Sequence, residues 1–269
     1  MRRHIIQVCF TLLTNSYLTG FIEGKIYKGT SKVTCVPGLN CYSCPGAVGS
    51  CPIGGLQAVM GSIKYKMSFY VLGLVMLFGT IFGRFVCSYM CPFGLVQDLL
   101  YKIKSKKFKL PKIFRWIKYG VLVYFVLLFP LLVTNIIGVG EPGYCKYVCP
   151  SGTLFGALPL LLKNQGLRAA LGALFNWKLL LLISVLVGSV FIYRIFCQVL
   201  CPLGLIYGFF NKFSFLGYHL DHDKCKGCGK CKKACDLHLD PCKDLDSIEC
   251  IRCGNCKQTC GVQAIERRI

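Results

Sequence analysis

Three long apolar runs stand out in the first 200 residues of the chain, at 69–86, 119–137 and 179–196. A helix needs about 17–25 mostly apolar residues to cross a bilayer, so each run predicts a membrane span. A fourth run, at 5–22, is weaker because Gln7, Asn15 and several threonines interrupt it. We expect this run to span as well, which gives four spans.

The segment 154–175 is also apolar, but Lys163 and Arg168 lie near its middle, together with Asn164 and Gln165. A charged side chain at the bilayer centre costs about 2.5–3.5 kcal/mol on insertion scales. We therefore expect an interfacial or re-entrant segment here rather than a fifth span.

Lysine and arginine counts predict the orientation. The stretch 98–118 holds eight of them, the longer loop 23–68 holds five, and 138–178 holds four. The positive-inside rule places the densest stretch in the cytoplasm. With four spans, the N- and C-termini are then cytoplasmic too. The expected location is the inner (cytoplasmic) membrane, crossed several times.

Composition supports a membrane protein and narrows the chemistry. Of the 269 residues, 54% are hydrophobic and 20 are cysteines. The formal charge of +21 would suit nucleic acid, but the basic residues cluster beside the apolar runs, so we expect lipid and no nucleic acid as partner. The chain is long, and no small-residue cleavage site follows its N-terminus, so metal ligation is a better explanation of the cysteines than a disulfide framework.

Four segments repeat the pattern Cys-Pro-x-Gly followed by an apolar stretch, beginning at Cys51, Cys91, Cys149 and Cys201. On the predicted topology they alternate between the outer and inner faces. The pattern predicts a mainly α-helical, polytopic membrane protein built from a tandem pseudo-twofold repeat. The predicted regions are a first membrane repeat (1–100), a basic cytoplasmic linker (101–118), a second membrane repeat (119–217) and a C-terminal α+β domain (218–269).

The C-terminal region carries the pattern Cys-x2-Cys-x2-Cys-x3-Cys twice. This is the spacing of bacterial two-cluster ferredoxins, in which the fourth cysteine of each run ligates the other cluster. It predicts one 4Fe–4S cluster on Cys225, Cys228, Cys231 and Cys260, and a second on Cys250, Cys253, Cys256 and Cys235. A zinc ribbon needs only two Cys-x2-Cys pairs and would leave four of these cysteines without a role.

Two stretches read Arg-x2-Cys-x3-Cys-Pro-x-Gly, each at the end of an apolar run. If they meet across the pseudo-twofold axis, they bring together Cys87, Cys91, Cys197 and Cys201. Four thiolates suit zinc or an iron–sulfur cluster, and a neighbouring ferredoxin domain favours the cluster. Arg84 and Arg194 could offset the negative charge of this inner membrane cluster and raise its potential, or could simply reach the cytoplasmic interface.

The outer face offers Cys145 and Cys149 at the same x3 spacing. Pseudo-symmetry predicts an outer membrane cluster with Cys51 as third ligand. Position 47 holds no cysteine, so we expect Cys44 as the fourth ligand, with Cys41 or Cys35 as alternatives. A disulfide is a further alternative for those left over. Cys9 and Cys242 are expected to be structural, and the four scattered histidines to be polar surface residues.

The Arg-x2-Cys-x3-Cys-Pro-x-Gly pairs, the four spans and the double ferredoxin motif resemble NapH/NosR/CcoG-type membrane polyferredoxins over nearly the whole chain. The resemblance implies a bacterial inner-membrane electron carrier that links a quinol or cytoplasmic donor to a redox partner. The outer cysteine motifs depart from the simplest members and suggest a path to the outer face. The chain has no flavin-binding domain, so a flavin would belong to a partner.

These features predict an electron-transfer subunit of an oxidoreductase system. It would carry electrons from a cytoplasmic reductant, through two ferredoxin clusters and two membrane 4Fe–4S clusters, to a flavoprotein or cytochrome outside. Two clusters near opposite faces would shorten the path across a hydrocarbon core about 30 Å thick. The alternatives are a quinol- or quinone-reactive subunit and a maturation or copper-reducing factor.

Overall fold

The computed structural model describes residues 2–62, 69–135, 138–169 and 171–268, apart from the side chain of Arg2. It is mainly helical. The helices occupy Arg2–Thr14, Thr19–Glu23, Thr30–Val33, Pro52–Gly61, Tyr70–Phe82, Phe85–Tyr89, Pro92–Tyr101, Lys112–Trp116, Ile117–Val121, Leu122–Leu128, Phe129–Leu132, Tyr144–Val148, Gly152–Ala157, Leu158–Lys163, Gln165–Ala169, Ala173–Phe191, Ile195–Val199, Pro202–Phe209, Phe210–Lys212, Lys230–Lys233 and Asn255–Thr259.

Two continuous helical stretches, Lys112–Leu132 and Ala173–Phe191, are long and apolar enough to cross a membrane. They correspond to the predicted spans 119–137 and 179–196, although residues 136 and 137 lie outside the described part of the chain. Length and composition alone support membrane association weakly. The crossing of all four runs stays a prediction.

The other two predicted spans contain shorter helices. The run 69–86 forms a continuous helix over Tyr70–Phe82, and a separate short helix begins at Phe85, because the chain turns at Gly83, whose φ is 52°. At a rise of about 1.5 Å per residue, the helix Tyr70–Phe82 is about 20 Å long, less than the bilayer core. The run 5–22 is divided between Arg2–Thr14 and Thr19–Glu23. Gln7, the polar residue in this run, is fully buried and donates to the carbonyl of Cys91 at 2.9 Å.

Each predicted membrane repeat has a helix that packs on the other repeat. Pro92–Tyr101, which follows the inner cysteines of the first repeat, packs on Ala173–Phe191 of the second. Its counterpart Pro202–Phe209 continues into Phe210–Lys212, which packs on Tyr70–Phe82 of the first repeat. Side chains of both repeats therefore share one hydrophobic core.

The C-terminal region forms an antiparallel pair of strands, Gly217–Leu220 with Ile265–Arg268, around two short helices. Its loop 248–252 lies directly on the helical part. Ser88 donates to the carbonyl of Ile251 at 2.5 Å, and Asn211 donates to the carbonyl of Cys250 at 2.8 Å. These bonds fix the cysteine-rich region against the predicted inner cysteines.

Candidate iron–sulfur sites

The two cysteine motifs of the C-terminal region line two separate cavities. The first C-terminal cavity, of about 340 Å³, is bordered by Cys225, Cys228, Cys231 and Cys260. The second C-terminal cavity, of about 430 Å³, is bordered by Cys235, Cys250, Cys253 and Cys256. In each set the fourth cysteine comes from the opposite motif, which is the crossed arrangement that the spacing predicts.

Cys242 also lies on the wall of the first C-terminal cavity. Its sulfur is 3.4 Å from the sulfur of Cys231, so this site has five thiols. The sequence predicts a structural role for Cys242, because it stands outside both motifs. The loop after Cys235 brings it to the site through tertiary packing that the motif spacing does not encode.

The two Arg-x2-Cys-x3-Cys stretches meet at a third cavity of about 330 Å³, which is bordered by Cys87, Cys91, Cys197 and Cys201. The rest of its wall is apolar and includes Val86, Phe93 and Phe196. All four thiols are buried. The structure thus brings together, between the two repeats, the four cysteines of the predicted inner membrane cluster.

A fourth cavity, of about 790 Å³, is bordered by Cys41, Cys51, Cys145 and Cys149. Cys41, rather than the expected Cys44, stands beside the other three. Cys44 lies instead near Asn15, with 3.5 Å between its sulfur and the amide oxygen, and Cys35 is paired with Ser50 at 3.3 Å. The spacing could not separate these candidates, because 35–51 forms an irregular loop. None of the 20 cysteines, all within the described residues, is in a disulfide.

The glycines of the two inner Cys-Pro-x-Gly motifs direct their backbone N–H groups at the sulfur three residues earlier. Gly94 donates to Cys91 and Gly204 to Cys201, each at 3.4 Å. These bonds favour the thiolate form that a metal centre requires.

The arginine of each motif lies beside the glycine of the matching motif in the other repeat. The guanidinium of Arg194 lies near Gly94 and donates to the carbonyl of Cys87 at 2.7 Å, whereas that of Arg84 lies near Gly204. Both side chains are almost fully buried, at 0% and 1% exposed, so neither reaches solvent. Arg84 also donates to the carbonyl of Ile248 at 2.6 Å and thereby links the inner site to the C-terminal region.

A carboxylate balances each arginine. Asp98 accepts two bonds from Arg194, at 2.7 and 2.6 Å, and one from Arg3 at 3.0 Å. Burial alone would raise the pKa of Asp98, but the guanidinium of Arg194 holds it below its ordinary value. On the other side, Glu249 pairs with the buried Lys118 and lies 3.6 Å from Arg84.

The cavities fit iron–sulfur clusters. Within the described residues, no three Cys, His, Asp or Glu side chains converge closely enough to hold one metal ion. Zinc would require four ligands about 2.3 Å from a single centre, an arrangement that the thiols of the described residues do not make. In the outer cavity, the buried hydroxyls of Tyr144 and Ser151 have no partner among the described residues, and near the inner cavity the same holds for Nε of Arg84. Cluster sulfurs would supply the missing acceptors.

The inner and outer cavities are neighbours in the fold. The side chain of Leu39 borders both. Two fully buried tyrosines, Tyr144 and Tyr207, also lie among cysteines of both sites. The loop 35–51 enters the shared hydrophobic core with Leu39 and Cys51. The placement of the two cavities near opposite membrane faces stays a prediction.

Comparison with known proteins assigns the chain to a class. A model of the 4Fe-4S binding domain family matches residues 67–111, 120–168 and 176–216, which together make up half of the chain. Two uncharacterised proteins of Methanocaldococcus jannaschii are each 30% identical, over 66% and 65% of this chain and 61% and 68% of their own lengths. The chain therefore belongs to the 4Fe-4S binding domain family.

Two further relatives carry functional descriptions. The methylamine utilization ferredoxin-type protein MauN of Paracoccus denitrificans is 27% identical over 66% of this chain and 54% of its own length. The putative electron transport protein YccM of Escherichia coli is 23% identical over 72% of this chain and 55% of its own. No solved structure matches the chain. The predicted class of a 4Fe–4S protein is confirmed by the family match, and electron transport is the role named for the relative of Escherichia coli.

Proposed function

We propose that the chain is a membrane protein that relays electrons between a cytoplasmic donor and an acceptor at the outer face, with two clusters in the C-terminal region and two in the helical part. Four separate cavities, each bordered by at least four thiols, carry this proposal. A 4Fe–4S cluster supplies reversible one-electron oxidation and reduction. The same proposal includes a specific relationship to NapH/NosR/CcoG-type polyferredoxins.

Membrane placement is supported by the apolar outer surface of the helices. In Ala173–Phe191, Leu180, Ile183 and Val187 are between 50% and 59% exposed, and in Tyr70–Phe82, Met76 and Leu77 are 50% and 56% exposed. A soluble monomer rarely exposes so large a contiguous apolar surface. Hydrocarbon chains would cover it.

The order of the four sites supports one path. Sixteen cysteines border the four cavities as candidate ligands when Cys41 is counted in the outer set. Of these sixteen, only Cys228, in the first C-terminal cavity, is exposed. The second C-terminal cavity includes Cys250, in the loop that Asn211 and Arg84 hold against the inner cavity. The inner cavity then shares Leu39 with the outer one. Electrons would enter near Cys228 and leave near Cys41 or Cys145.

The entry face has the charge to receive an acidic protein. Lys226, Lys230 and Lys233 lie close to Cys228 along the sequence, are exposed, and are paired with no carboxylate in the described part of the chain. Positively charged side chains around a redox centre attract an acidic partner and speed its association at low salt. We propose an acidic soluble electron-transfer protein as the donor.

Iron and acid-labile sulfide counts on anaerobically purified chain, with EPR spectra of the reduced protein, test the proposal. Four clusters require about 16 iron atoms per chain, four in each cluster. About eight would restrict the clusters to the C-terminal region and reject the membrane relay.

A further inference from the structure

Gln97 connects the two repeats at the inner cavity. It lies six residues after Cys91, on the helix Pro92–Tyr101. Its Oε1 accepts a hydrogen bond from the backbone N–H of Phe196 at 3.1 Å. Its Nε2 lies 3.3 Å from the sulfur of Cys197 and 3.5 Å from the carbonyl oxygen of Phe93.

Gln57 repeats this arrangement at the outer cavity. It lies six residues after Cys51, on the helix Pro52–Gly61. Its Oε1 accepts from the backbone N–H of Tyr144 at 2.8 Å. Its Nε2 lies 3.2 Å from the sulfur of Cys145 and 3.2 Å from the carbonyl oxygen of Ile53. Both glutamines are fully buried.

The orientation of each amide group follows from its partners. A backbone N–H can only donate, so the side-chain oxygen must face Phe196 or Tyr144. The nitrogen is then left facing the sulfur. Its two N–H groups have two acceptors, the carbonyl one turn earlier and the cysteine sulfur. The assignment is therefore the same at both sites.

Only the first repeat has this residue. The equivalent positions six residues after Cys149 and Cys201 hold Phe155 and Tyr207. Each membrane cavity thus has one amide donor, supplied by the first repeat and directed at the first cysteine of the Cys-x3-Cys pair in the second. The sequence analysis missed both glutamines, although the spacing Cys-x5-Gln occurs after both Cys-Pro-x-Gly motifs of the first repeat.

We propose that Gln57 and Gln97 are paired positioning residues that donate an N–H···S hydrogen bond to one cysteine ligand of each membrane cluster and raise its reduction potential. This inference rests on the proposed membrane clusters. Reduction adds negative charge, so a donor to a ligand sulfur stabilises the reduced form more than the oxidised form. The site is buried, which strengthens the effect.

The test is a redox titration of the full chain, followed by EPR, in four variants. Gln97→Met keeps the length of the side chain and removes both hydrogen bonds, and Gln57→Met does the same at the outer site. We expect Gln97→Met to shift one membrane signal to lower potential and Gln57→Met to shift the other. The C-terminal signals should not move in either variant.

Gln97→Glu and Gln57→Glu separate tuning from simple structural support. A carboxylate still accepts from Phe196 or Tyr144, but it has no N–H to offer the sulfur and adds negative charge. We expect the potential to stay low in these variants. Recovery of the wild-type potential would show that only the backbone contact matters and would overturn the inference.

The inference would also be overturned if both methionine variants kept their iron and their wild-type potentials. If a methionine variant loses a membrane cluster, its potential cannot be measured. The glutamate variant at that site keeps the backbone contact, and its potential then shows whether the N–H···S bond tunes the cluster. A wild-type chain that shows only C-terminal signals would instead reject the proposed membrane clusters, so the two failures are distinguishable.

Discussion

At the scale of the residue, the first C-terminal site differs from the second in having a spare thiol. The sulfurs of Cys231 and Cys242 are 3.4 Å apart, whereas no fifth cysteine borders the second cavity among the described residues. Cys231 and Cys256 occupy the same third position of their motifs. The two cysteines can therefore be compared directly, because only Cys231 has a further cysteine next to it.

We expect Cys231→Ala to keep the first C-terminal cluster, because Cys242 can take the vacated ligand position with little movement. Cys256→Ala should lose the second cluster, about four iron atoms per chain. Iron analysis and EPR measure both. The double variant Cys231→Ala/Cys242→Ala should lose the first cluster, and a single Cys231→Ala that already loses it would show that Cys242 cannot substitute.

The motif glycines are a second residue-scale feature, since they leave room for the arginines of the matching motifs. A Cβ on Gly204 would lie 3.0 Å from Nη2 of Arg84, whereas a Cβ on Gly73 would meet nothing within 4 Å. Gly204→Ala should destabilise the protein by about 1–3 kcal/mol through crowding. Gly73→Ala should be neutral or stabilising by about 0.5–1 kcal/mol, because alanine favours the helix. Thermal unfolding of the two variants, with Gly73→Ala as control, checks the contrast, and equal effects would refute it.

At the scale of the element, the helix Pro92–Tyr101 is tied to the turn before Ile195–Val199 by the buried pair of Asp98 and Arg194. The pKa of Asp98 is held below its ordinary value, so the pair is ionised at neutral pH. Its contribution to stability is present above the unfolded-state pKa of the carboxyl group. It is lost as the pH falls through the lower folded-state pKa.

Asp98→Asn should therefore cost about 3–5 kcal/mol, because it leaves a buried guanidinium without its counter-charge. The exposed pair of Lys224 and Glu266 is the control, and Glu266→Gln should change stability far less, because solvent screens an exposed pair. Denaturation of both variants at neutral pH gives the comparison. A loss for Asp98→Asn no larger than the control would mean that Arg194 finds another partner.

The elements also show how far sequence could lead. The C-terminal and inner cysteine sets could be grouped from spacing, since short motifs at helix ends place thiols almost without regard to the rest of the fold. Cys41 and Cys242 could not be placed, because both lie in irregular loops whose path depends on tertiary packing. The helix Tyr70–Phe82 is shorter than the predicted span 69–86 for a similar reason. Gly83 adopts a turn conformation, which a hydropathy profile does not reveal.

At the scale of the whole molecule, the sites form a series of neighbours. Leu39 separates the inner and outer cavities, and the loop 248–252 separates the inner cavity from the C-terminal region. Electron transfer between neighbouring sites therefore needs only short steps. How far the series extends across the bilayer depends on the topology.

The topology is itself a prediction. Four spans place the C-terminal region in the cytoplasm, beside the dense basic stretch 98–118, only if 154–175 does not cross the membrane. The described part of this segment contains a short apolar helix that ends at Lys163, where Asn164 leaves the helical conformation, followed by a separate turn of helix at Gln165–Ala169. We expect a reporter fused after Ile269 to be cytoplasmic. A cysteine placed at Lys163 should react with an impermeant reagent added from outside, and one placed at Lys106 should react only after lysis. An outside reporter would mean that the lysine-rich face around Cys228 meets an acceptor or donor outside the cell, and the proposed direction of electron flow would have to be reversed.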